Sequence, residues 1–68
     1  MAMKQDRNHA IAKLKIRILI RENEKKELQA IIASSQSSER RKDALDFLAT
    51  ILEEIKLARE ELAKLESE

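Results

Sequence analysis

Ala12-Lys13-Leu14-Lys15-Ile16-Arg17-Ile18-Leu19-Ile20-Arg21 is the stretch whose conformation decides the fold. Leu14, Ile16, Ile18 and Ile20 fall on one parity; Lys13, Lys15, Arg17, Leu19 and Arg21 fall on the other. Alternation of isoleucine-rich and mostly basic positions is a half-buried strand signal. Wound as a helix, the same apolar residues spread around most of the circumference. A competing pattern runs through the same residues. Ile11, Leu14, Ile18, Leu28 and Ile32 fit a heptad, which makes them the seam of one continuous helix. That seam places Arg21 and Lys25 in its interior.

Two polar gaps divide the chain, at residues 21–27 and 34–43, and apolar blocks lie at 10–20, 28–33 and 44–65. The last block is the most regular. Ala44, Leu48, Ile51, Ile55, Ala58, Leu62 and Leu65 recur at spacings of four and three, with Leu45 and Leu52 widening the stripe. That is an amphipathic helix, and it predicts helix from about 38 to 66. Ser37 or Ser38 supplies its N-cap. Leu28, Ile31 and Ile32 predict a short helix over about 24–34, with Asn23 as the cap. In a hairpin turning near residue 36, residues 21–27 would face about 45–51, setting the polar gap against Leu45, Phe47, Leu48 and Ile51. A break near residues 21–23 avoids that mismatch, which favours a strand over about 12–21.

The expected architecture is therefore mainly α, with a flexible N-terminal arm at 1–11 and a single dimerising domain at 12–68. A short ribbon strand precedes two helices in an intertwined homodimer. The alternative is an all-α helical hairpin that dimerises into a four-helix bundle. Self-association is expected in either case. Sixty-eight residues bury little surface alone, and the absence of cysteine rules out a disulfide framework. The expected interface comprises Leu14, Ile16, Ile18, Ile20, Leu48, Ile51, Ile55, Leu62 and Leu65. Ala58, Leu62 and Leu65 extend the last stripe and offer a surface to another chain, either a second copy or a different protein.

Composition points the same way. Gly and Pro are both zero, while 40% of residues are charged and 43% are hydrophobic. The chain has the helix formers for regular structure and the apolar content for a core. A single aromatic residue, Phe47, argues against a base-stacking platform. Residues 1–33 carry eight Lys/Arg against four Asp/Glu (+4), and residues 34–68 carry six against nine (−3). A basic first half points to an anionic partner, or else to attraction between opposite halves within a dimer. No signal-peptide pattern opens the chain, and its longest strictly aliphatic run is Ile18-Leu19-Ile20. A cytoplasmic protein with no membrane partner is the expectation.

Catalytic chemistry is not expected. There is no glycine-rich loop for phosphate and no cysteine nucleophile. His9 is the only histidine, so no second imidazole can join it on a metal, and a solvated side chain is the better reading. The pairs Glu53-Glu54 and Glu60-Glu61 read as a solvated helix face. No cofactor or metal site follows from these residues.

Lys13-Leu14-Lys15-Ile16-Arg17-Ile18-Leu19-Ile20, then Leu28/Ile31/Ile32, then a helix opening at Ser37-Ser38, resembles the ribbon-helix-helix family of bacterial and phage repressors and antitoxins. The resemblance spans about residues 12–55. It implies that a two-stranded ribbon enters the DNA major groove, with Lys13, Lys15 and Arg17 reading base edges. It also implies that Ser37 and Ser38, at the start of the last helix, help to grip phosphate. The leading functional expectation is thus a small homodimeric DNA-binding regulator. The alternatives are a helical-hairpin interaction module, such as an adaptor, inhibitor or chaperone, and a designed helical bundle.

Overall fold

The computed structural model describes the backbone of residues 2–67 and the side chains of residues 6–67. Helix α1 spans Ala2–Ser34 and helix α2 spans Ser38–Ser67, and the two pack together as an antiparallel hairpin. There is no strand among the described residues. The molecule measures 55 × 14 × 13 Å, about the length of one 33-residue helix and two helices wide.

The strand expected at 12–21 and the separate helix expected at 24–34 are both part of α1. Asn23, the expected cap, lies in the helix interior. The reason is backbone satisfaction. A ribbon strand leaves its N–H and C=O groups open until a second strand arrives, whereas a helix pairs them within itself. No Gly or Pro interrupts the run. Strand preference reflects packing on a pleated, half-buried surface, and this chain provides none. Residues 6–11, expected as an arm, also belong to α1, with Arg7, Ala10 and Ile11 half-buried.

The seam follows the heptad reading. On α1, Leu14 is buried, and Ile11, Ile18, Arg21, Lys25, Leu28 and Ile32 are half-buried at alternating spacings of four and three. On α2, Ala44, Ile51, Ile55 and Ala58 are buried, and Leu48, Leu62 and Leu65 are half-buried. Ala58, Leu62 and Leu65, expected to pack on another chain, continue the stripe that α2 turns to α1. The other parity of the alternating stretch stays outside: Ile16 is 58% and Ile20 is 50% exposed. They were expected beside Leu14 and Ile18. The helical turn of about 100° per residue separates what a strand would align.

A three-residue connection, Ser35-Gln36-Ser37, reverses the chain without glycine. No residue with positive φ occurs among those described, so the helix end needs no left-handed cap. Serine side chains do the work. The Ser34 hydroxyl donates to the Ala30 carbonyl at 2.8 Å, and the Ser35 amide donates to the Ile31 carbonyl at 2.8 Å. The Ser35 hydroxyl oxygen accepts the Ser37 amide at 3.3 Å. Ser37 then caps α2, its hydroxyl oxygen accepting the Arg40 amide at 3.3 Å. Glu39 near the start of α2 and Lys64 near its end suit the helix dipole.

Ile51, 2% exposed, is the most enclosed side chain. Ile51→Asp should abolish the helical circular dichroism signal at 25 °C, because an unpaired buried carboxylate costs several kcal/mol. Leu57→Ala, at an exposed position, should shift stability by less than about 0.5 kcal/mol.

Candidate interaction surface

Four ion pairs occupy the middle of the hairpin, where the polar gap of α1 meets α2. Arg21 pairs with Glu24 one turn on, and Arg21 Nε lies 2.9 Å from Glu54 Oε2 across the seam. The Arg21 Nε–H does not aim at that oxygen, so the cross-seam contact is an ion pair rather than a formed hydrogen bond. Glu22 pairs with Arg59 of α2 and lies 3.7 Å from Lys25 Nζ. Further out, Lys15 Nζ is 4.0 Å from Glu66 Oε2. Arg21 therefore faces a later part of α2 than a symmetric turn at residue 36 would give it. That register resolves the mismatch that favoured a break at residues 21–23. The polar gap meets Glu54 and Arg59 rather than a wholly apolar wall, and the small side chain of Ala58 leaves room beside Arg21.

These pairs also identify the two edges of the hairpin. Lys15–Glu66 and Glu22–Arg59 run along one edge. Along the other lies an open groove lined by Arg17, Arg21, Glu54, Leu57, Ala58 and Glu61. Its walls pair cation with carboxylate, which leaves no dominant charge to hold an anionic or cationic ligand. No group of three or more His, Asp or Glu side chains suited to a metal ion occurs among the described residues.

The proposed base-reading residues do not form a common surface. Lys13 and Arg17, four apart, share one side of α1, while Lys15 turns away toward Glu66. A ribbon would have held all three on one face. The Ser37 hydroxyl is engaged in capping, and Ser38 begins the helix. Of the expected interface, Leu14, Ile51 and Ile55 are buried, Ile18, Leu48, Leu62 and Leu65 are half-buried, and only Ile16 and Ile20 are exposed. Most of those residues serve the intrachain seam. The side chains left outside are Ile16, Leu19, Ile20, Ile31, Leu45, Phe47, Leu52 and Leu57, each 42–61% exposed. Six of these eight lie outside the expected interface: Leu19, Ile31, Leu45, Phe47, Leu52 and Leu57. For Leu45 and Leu52 the signal existed, since they widen a stripe already two positions broad. Among the described residues, no helix is long and apolar enough to cross a membrane.

Neither family models, curated proteins nor solved structures show a match to this chain.

Half-buried charges in a seam are weakly stabilising at best, because desolvation offsets much of the attraction. Arg21→Leu combined with Lys25→Ile completes the apolar heptad and should raise stability by about 1 kcal/mol. For a chain of this length that is a gain of several degrees in melting temperature, read by thermal denaturation.

Proposed function

We propose that the chain is a non-catalytic helical interaction module that completes its core with a second copy of itself and works through protein contacts. The observation that carries this reading is the area left uncovered. A compact monomer of 7.9 kDa exposes about 4,400 Å², whereas this hairpin exposes 5534 Å². The excess, about 1,100 Å², is comparable with the ~800 Å² that each partner contributes to a standard protein interface. The radius of gyration tells the same story: 15.8 Å against about 11 Å for a compact domain of this length.

The exposed area is apolar where it counts. Among the described residues, five are fully buried and eight large apolar side chains are 42–61% exposed. Scattered exposed leucines are ordinary, but an exterior set larger than the core is not. Pairing two hairpins would turn a two-helix seam into a four-helix core, with short loops and antiparallel neighbours.

Sedimentation velocity at micromolar concentration tests the reading. The expected result is a species of twice the 7.9 kDa chain mass, with helicity and melting temperature falling on dilution. A monomer that keeps its full helical signal at that concentration overturns it.

A further inference from the structure

We propose that the second copy docks on one edge of the loop-proximal half, α2 packing antiparallel on its symmetry mate. The two-fold axis passes beside Ala49, with Leu45 of each copy seated on Leu52 of the other. This rests on the self-association argued above and adds its face, direction and axis.

The first argument is the width of the α2 stripe. Ala44, Leu48, Ile51 and Ile55 are turned to α1, which needs only two positions in seven from a helix in a two-helix seam. Leu45 and Leu52 occupy a third position, one residue further round, and are 52% and 46% exposed. A stripe three positions in seven wide belongs to a helix with more than one neighbour.

The second argument chooses between the edges. Leu45 and Leu52 follow the seam residues Ala44 and Ile51 just as Arg59 follows Ala58, so they lie on the edge of the Glu22–Arg59 pair. Between that pair and the loop, α1 brings Gln29 and Ala33 to the same edge with no carboxylate of its own, and the α2 carboxylates Asp46 and Glu53 stand further round, beyond Ala49. On the opposite edge, Ile31 and Phe47 sit among Glu24, Glu27, Asp43 and Glu54. Charged residues are depleted from interface centres, which favours the first edge.

The third argument chooses the occupant. An isologous contact needs a patch that is its own complement, with residue i on j and j on i. Leu45 and Leu52 are two helical turns apart, about 10.5 Å, with Ala49 near their midpoint. An antiparallel copy centred there matches large to large at both ends and small to small in the middle. Lys42 and Lys56 lie one heptad to either side of Ala49 on the same line of the helix, so they face each other at the two ends of the contact, where their stems cover apolar surface and their ammonium groups reach water.

A charge exchange tests the pairing. Leu45→Glu and Leu52→Lys each change a side chain that the hairpin leaves about half exposed, so each variant should keep its helical circular dichroism. Each alone should weaken self-association by about 100-fold or more, because the two-fold repeats every substitution and so places a charge in both large apolar contacts. In the double variant, Glu at 45 meets Lys at 52 of the other copy, and association should recover to within about tenfold of the unmodified chain. The two positions are seven apart on one helix, out of reach of each other within a chain. A double variant as dissociated as the singles overturns the pairing.

Cross-linking gives a second readout in a chain with no cysteine of its own. Ala49→Cys should oxidise readily to a disulfide-linked dimer, because two-fold neighbours at the axis meet the short Cβ separation that a disulfide requires. Phe47→Cys, on the opposite edge, should not. Efficient linkage through position 47 and none through 49 places the interface on the other edge and overturns the proposal. Failure of the face is distinguishable from failure of the function proposed above. An unmodified dimer indifferent to these substitutions defeats the face alone, and an unmodified folded monomer defeats self-association itself.

Discussion

Each helix of this molecule has a single neighbour, and every other property follows from that constraint. A helix packed on one partner can enclose only a narrow stripe, two positions in seven, and the rest of its surface meets water. Leu14, Ala44, Ile51, Ile55 and Ala58 are buried, and the remaining seam positions are half-wet. Such a core is small for a folded domain, because the ordering of more than sixty residues opposes it. The same narrowness explains why charge is tolerated inside the seam. Arg21 and Lys25 need not be desolvated fully, since each reaches an edge where a carboxylate and solvent share its charge.

The polar interruption contributes alignment more than stability. Leucines and isoleucines at heptad positions can slide by one repeat and still find apolar partners. Arg21 cannot, because its cross-seam partner Glu54 and the small Ala58 stand together at one level only. Glu22 and Arg59 repeat the constraint on the opposite edge. A single polar layer that fixes register at some cost in stability is a known device in coiled coils, and here the layer is charged.

How legible this was in the sequence differs between the two helices. The α2 stripe could be read almost residue by residue, because its spacing is regular and Ser37 marks its start. In α1 the same heptad was present but obscured. Ile16 and Ile20 added a second, alternating pattern, and local propensity cannot tell a strand awaiting a partner from an outer helix face. Arg21 and Lys25 broke the apolar stripe, and only the register of the opposite helix shows that their charges are met. That register comes from the Ser35-Gln36-Ser37 reversal and the ion pairs, which no single segment encodes. The candidate surface was harder still to foresee. Leu45 and Leu52 could be seen to widen the stripe, but whether they were core or exterior depended on how many helices surround α2.

The Ser35-Gln36-Ser37 connection has a kinetic consequence. Contacts beside it close a short stretch of chain, whereas the Lys15–Glu66 contact closes a segment of fifty-one residues. Loop-closure entropy rises with that separation, so an assembly that starts at the turn adds each further heptad at little extra entropic cost. Hairpins dominated by such a graded set of contacts fold rapidly, by closure that runs from the bend toward the termini. Burial does not follow the same gradient: Leu14, near the open end, and Ile51 and Ile55, midway along the rod, are at least as enclosed as Ala44 beside the turn. The end that closes first is the one that carries Leu45, Ala49 and Leu52, so this exposed strip of α2 is in place before the rest of the rod has formed.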